Sequence, residues 1–324
     1  MGLGLCLFRP GQERMFIPPT LLYFVPTLDM EYKSRAYVQL HAAMVLFGLT
    51  SILGALISLP ALAVVWWRVG LAGLGLWLML RYLRQSLQLP NKEVRVFLAI
   101  GGLVGLHWLL FFGSIKLANA SIGVICMATS ALFSAFLEPW LLRTALRWRD
   151  AVLGLLIIPG MVLISHDLQV NQLWGVLVGL GSTLLFVLFS ILNKKRMGTT
   201  PPMVITFWEM TGAWLTISLI LIPYFIWSSV LTRWPNPKDW FYLAVLAFVC
   251  TNIGYILGLK ALKHLTPFTV NLTFNLEPVY GILMAWWLLD EHKELQWTFY
   301  AGAMWIISLI FAHALLERKR NKQI

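Results

Sequence analysis

The sequence predicts an all-α integral membrane protein: ten transmembrane helices arranged as two five-helix repeats of inverted topology. Three observations carry that prediction. Apolar residues fill 59% of 324 positions and charged ones only 12%, whereas a soluble domain carries roughly a quarter charged residues. Runs of about 20 apolar residues recur between short polar gaps, and about 20 is the helix length that crosses ~30 Å of hydrocarbon. The runs are continuous rather than alternating, which selects helices over a barrel. Finally, features of the first five runs recur in order in the last five. Five is odd, so the second copy enters the bilayer from the opposite face to the first.

The first repeat, 37–168, is expected to hold spans at 37–57, 61–80, 96–115, 121–142 and 151–165. His41 sits near the inner end of the first span and Pro60 opens the second. Glu138 lies near the cytoplasmic end of the fourth, where Arg143, Arg147 and Arg149 are expected to neutralise it. The fifth is short, and Pro159 is placed to kink it by removing a backbone donor. The second repeat, 172–316, is expected to hold spans at 173–192, 204–231, 240–259, 267–289 and 296–315, followed by a basic cytoplasmic tail at 317–324. Trp66, Trp286, Trp287 and Trp297 suit interfacial belts. Residues 1–29 fit neither a signal peptide nor a myristoylation signal and read as an over-extended start, with Met30 the expected initiator.

Charge placement orients the chain. With the N-terminus in the cytoplasm, 20 of the 25 Lys and Arg fall in the tails and the even-numbered gaps. Four (Lys116, Arg233, Lys238 and Lys293) fall in the outside gaps, and Arg68 lies within a span. That bias places both termini in the cytoplasm of a multi-pass plasma-membrane protein. The net charge of +11 is thereby assigned to topology and not to nucleic acid. Three cysteines, Cys6, Cys126 and Cys250, make no disulfide framework. No histidine pair has metal-binding helical spacing and no Gly-rich Lys-Ser/Thr loop is present, so neither metal nor other cofactor is expected. The expected partners are a small-molecule substrate and the lipid bilayer; monomer and homodimer both remain open.

The duplication is read from paired positions. Trp67-Arg68 meets Trp208-Glu209 at an offset of 141. At an offset of 145, Lys116-Leu117-Ala118-Asn119-Ala120-Ser121 lies over Ala261-Leu262-Lys263-His264-Leu265-Thr266, and at 148 Gly154 meets Gly302. On Phe47-Gly48, Pro60, Arg68, Thr266-Pro267-Phe268-Thr269, Leu276-Glu277-Pro278-Val279 and Asp290-Glu291, the chain resembles the EamA type of the drug/metabolite transporter superfamily. The resemblance covers roughly residues 37 to 315 and implies a ten-helix carrier with a central cavity, in a family that moves amino acids, metabolites and nucleotide sugars. A second Leu-Glu-Pro, at Leu137-Glu138-Pro139, sits about six residues out of register with the first (by the neighbouring alignment, which sets Glu277 against Leu132), so the two glutamates are expected to have different jobs.

Ionisable groups at membrane depth cost roughly 2.5–3.5 kcal/mol on insertion scales, which makes them candidates for function. At 1.5 Å per residue, Glu277 lies ~15 Å and His107 ~16 Å into their spans, near the midplane. Asn252 falls at similar depth and is the repeat mate of His107. Such a level suits a midplane binding site; helix–helix hydrogen bonding is the competing role for His107 and Asn252. Pro278 follows Glu277 and perturbs its helix, while Asn271 and Asn275, four apart, share a face with cavity-wall character. Arg68 and Glu209 are repeat mates of opposite charge, but ~12 Å of helical rise separates them along the membrane normal. Each is expected to line one vestibule with Trp67 or Trp208 as its aromatic wall, or else to anchor at the interface by snorkelling.

These features predict a secondary transporter that moves a small, amino-acid-like or other amphipathic metabolite by alternating access, with export the expected direction. Glu277 and His107 are the candidates for proton coupling, since both side-chain types exchange protons. A proton-independent exchanger or a channel is the alternative. An intramembrane enzyme is the remaining rival and lacks a nucleophile–base set at shared depth.

Overall fold

The computed structural model describes residues 19–165, 170–227, 234–274, 276, 277, 280, 284 and 296–321, and among them every regular element is helical. The helices are α1 (Pro19–Leu56), α2 (Ala61–Tyr82), α3 (Asn91–Leu117), α4 (Ala120–Met127), α5 (Ser130–Leu142), α6 (Trp148–Leu155) and α7 (Ile157–Ser165). The second half contributes α8 (Val170–Arg196), α9 (Pro202–Trp227), α10 (Pro237–Ala244), a π-helical segment (Val245–Ile253), α11 (Gly254–His264), α12 (Pro267–Phe274) and α13 (Trp297–Asn321). Among the described residues, seven helical stretches are long and apolar enough to cross a membrane: Tyr32–Leu56, Ala61–Tyr82, Asn91–Leu117, Ile122–Leu142, Gln172–Arg196, Pro202–Pro223 and Pro237–His264. They coincide with expected spans one to four and six to eight.

Of the remaining three expected spans, the fifth differs for a local reason. The fifth is split into α6 and α7 at Leu156, since Pro159 cannot donate to the carbonyl of Leu155. The exposed Leu156 carbonyl accepts from Trp305 Nε1 of α13 at 2.8 Å. The ninth lies only partly among the described residues, as α12 and helical positions 277, 280 and 284, and within α13 the fully described apolar stretch is Tyr300–Leu309. Expected interfacial Trp286 and Trp287 lie outside the described residues, as does Asn275.

Helix packing follows a pseudo-two-fold pattern. If each span of the first half is exchanged for its counterpart five spans on, the packed pairs map onto one another. The contact of α3 with α8 maps onto that of α1 with α11 and the π segment. The contact of α3 with α9 maps onto that of α2 with the π segment. Pairs α2–α9, α5–α12 and α7–α13 map onto themselves. A two-repeat layout fits this arrangement.

Glycines set the closest approaches, as expected where helices cannot be driven together by water. A Cβ on Gly101 of α3 would run into the backbone carbonyl of Glu209 on α9, and one on Gly212 of α9 into that of Leu98. Gly175 and Gly179 likewise let α8 lie against Ala118, Cys126 and Ser114. At the α4–α5 junction Thr129 Oγ1 bonds back to the Cys126 carbonyl at 2.7 Å, and Thr183 Oγ1 of α8 donates to the same carbonyl at 3.0 Å.

Loops are tied to neighbouring helix ends by charged side chains. Asp239, at the start of α10, accepts from Ser58 N at 2.8 Å and Ser58 Oγ at 2.7 Å, and also forms a capping box with Asn236. Lys116 Nζ, at the end of α3, donates to the Ile57 carbonyl at 2.6 Å. In the second half Lys263 Nζ, two residues out of register with Lys116, donates to the Thr200 carbonyl at 2.8 Å.

Candidate functional site

A cavity lies where the two halves meet, walled by α1, α2, α3, α8, α11 and α12 together with Met127 and Glu277. Its surface is mainly aromatic and aliphatic. Phe47, Trp108, Phe111, Phe186, Phe189 and Phe274 supply the rings, and the ionisable groups on the wall are Arg68, His107, Tyr255 and Glu277. An apolar chamber with a few placed polar groups is the usual form of a small-molecule site.

Arg68 is fully buried, the largest such side chain among the described residues. Its Nε donates to Thr251 Oγ1 at 2.7 Å, and Thr251 in turn donates to the Leu246 carbonyl five residues back, a spacing that the π segment provides. The guanidinium carbon lies 4.0 Å from the Trp108 ring centre and 5.6 Å from that of Phe112. This cation–π stacking holds the group in place. Both terminal nitrogens, Nη1 and Nη2, have no hydrogen-bond partner among the described residues. Glu277 lines the same cavity.

His107 is fixed from α8, where Nδ1 lies 2.9 Å from both the carbonyl and the hydroxyl of Ser182, and the hydroxyl also donates to the His107 carbonyl at 2.9 Å. Phe186 and Phe189 flank the imidazole, with ring centres 5.6 and 5.5 Å away. His107, Arg68 and Glu277 therefore share one chamber.

The other sequence-selected residues are placed elsewhere. Asn252 sits in the π segment and donates from Nδ2 to the Ala72 carbonyl at 3.2 Å, so it bridges to α2 and does not line the chamber. The altered helical pitch instead points its neighbour Thr251 at Arg68. Asn271 is fully buried where α5, α8 and α12 converge: it accepts from Ser190 Oγ at 3.1 Å and donates to Ser134 Oγ at 3.2 Å. Glu209 is fully buried and not on a vestibule surface, with Oε2 accepting from the Tyr255 hydroxyl at 2.6 Å. Trp208 donates to the Leu87 carbonyl at 3.3 Å, whereas Trp67 packs among Trp66, Trp234 and Trp240 beside the Asp239 loop. Glu138 accepts from the backbone N–H of Phe268 at 2.7 Å, at the N-terminus of α12, a placement the helix dipole favours.

Sequence reasoning passed over Tyr255, Asn193, Ser182 and Thr251. Tyr255 and Asn193 both line the chamber, and Asn193 Nδ2 lies 3.5 Å from the Tyr255 hydroxyl. Asn193 stands next to Lys194-Lys195-Arg196 and reads in sequence as part of the polar end of its span.

Seven membrane-length helices among the described residues, a two-fold packing plan and a chamber of polar and aromatic groups define a multi-pass membrane protein of the solute-carrier kind. The model of the EamA-like transporter family matches twice, over residues 34–166 and 173–313, and the chain belongs to that family. It is 24% identical over 230 residues to the uncharacterized transporter YyaM of Bacillus subtilis (strain 168), a match covering 68% of this chain and 74% of that one. A protein of known crystal structure superposes with a TM-score of 0.67 at 15% identity, over 88% of this chain and 98% of the other, which shows a shared fold.

Proposed function

We propose that this transporter is a secondary carrier of ten helices in two inverted repeats, sited in the plasma membrane with both termini cytoplasmic. It binds a small amphipathic metabolite in the central chamber and exports it by alternating access. The observation that carries this reading is the convergence of Arg68, His107 and Glu277 on one chamber at the junction of the halves. A midplane site at a repeat interface is the arrangement that rocking of one repeat against the other can expose to each face in turn. Residues 37–168 and 172–316 form the two moving units in this scheme.

Access in the described state is from the cytoplasm. The chamber wall continues past Glu277 to Asn193, Gly258 and Leu262, toward the ends of α8 and α11 that the charge bias assigns to the inside. The opposite end is tied shut by Asp239 on Ser58 and by Lys116 on the Ile57 carbonyl. Proton coupling is assigned to Glu277, with His107 as the second exchanging group; both face the chamber that the cargo enters.

The test is counterflow. Purified protein in sealed proteoliposomes should exchange a radiolabelled metabolite, chosen by a thermal-shift screen, with saturable kinetics. Conductance that is linear in voltage and unsaturated by solute would make the protein a channel instead.

A further inference from the structure

We infer that the cargo carries a single carboxylate, taken by Nη1 and Nη2 of Arg68, with an apolar body against the aromatic wall. The inference rests on the carrier reading only in calling the ligand a cargo. Arg68 is held at three points: the Nε bond to Thr251, the Trp108 face and the Phe112 ring. Those contacts use the base and one face of the guanidinium and leave its fork of two terminal nitrogens unpartnered and closed off from water.

An orphaned charge in a dry interior is expensive, so its retention calls for a group that completes it during the cycle. A fixed guanidinium fork matches the two oxygens of a carboxylate in a bidentate pair. Glu277 is the internal carboxylate on the same wall, yet it makes no hydrogen bond to either nitrogen. With Glu277 carrying a proton, the single Arg68 cation balances a monoanion and leaves a doubly charged phosphate uncompensated. Phe47, Phe111, Phe186, Phe189 and Phe274 then enclose the remainder of the molecule.

Three probes decide the matter: 3-phenylpropanoate, its neutral amide 3-phenylpropanamide of nearly equal shape, and 2-phenylethylammonium, a cation on the same phenylethyl body. Calorimetric titration of the full chain in nanodiscs should show the carboxylate binding at least tenfold tighter than the amide, and the ammonium not binding. Arg68→Gln should erase the preference for carboxylate over amide, while Arg68→Lys, which keeps the charge and loses the fork, should weaken carboxylate binding about tenfold. Amide or ammonium binding as tight as carboxylate, or no carboxylate binding up to about 10 mM, overturns the assignment. That comparison is made on the unaltered protein, so it holds even where Arg68 variants fail to fold. Counterflow of the same probes separates the two claims. A carboxylate that binds without exchanging defeats the carrier and leaves the subsite standing, whereas exchange confined to cations defeats the subsite and leaves the carrier.

Discussion

Glu277 and Arg68 share a chamber without hydrogen-bonding each other, which leaves each free to answer to something that enters. For Glu277 the proposed answer is to a proton. Glu277→Gln should preserve counterflow of cargo in proteoliposomes and abolish its accumulation under an imposed pH gradient. Accumulation that survives would assign coupling elsewhere or remove it. Depth arithmetic from the sequence put Glu277 and His107 at mid-span, and both face the chamber. The same arithmetic could not tell which way Asn252 points, because a π segment changes the angular step per residue and no residue type announces one. Asn271 shows the related limit: periodicity gave it a polar face, but only the tertiary arrangement reveals Ser134 and Ser190 waiting there.

At the scale of helices, the tightest joint is between α3 and α9. Gly101→Ala would press a methyl group into the Glu209 carbonyl, which no side-chain rotation can relieve. A loss of about 1–3 kcal/mol is expected from such overpacking, seen as a lower melting temperature and reduced monodisperse yield. Gly73→Ala on α2 is the matched control, since its Cβ would meet only Met210 Cβ at 3.8 Å, and it should be neutral. Equal behaviour of the two variants would mean the α3–α9 contact is looser than described. Run length and charge located seven of the membrane-length helices in advance, because hydrocarbon thickness leaves little choice of length. The break at Ala128–Thr129 was not legible, since it depends on Thr183 of a distant helix competing for the Cys126 carbonyl.

Across the whole molecule, inverted repeats require equivalent loops to lie on opposite faces. Single cysteines at Ser58 and Thr199, in a background with Cys6, Cys126 and Cys250 replaced, should react with membrane-impermeant maleimide from the outside and the inside respectively. Labelling of both from one face would rule out the inverted arrangement. The Asp239–Ser58 tie carries a thermodynamic consequence. It is a contact of one conformation, and a contact that favours one conformation alters how often each doorway opens. Without an energy source coupled to that tie, it cannot alter where solute finally comes to rest. Asp239→Asn should therefore make the outer doorway open more often and change initial rates of entry and exit together, while the end-point distribution stays as before. In the proposed cycle the latch governs the traffic, and the gradients alone decide its destination.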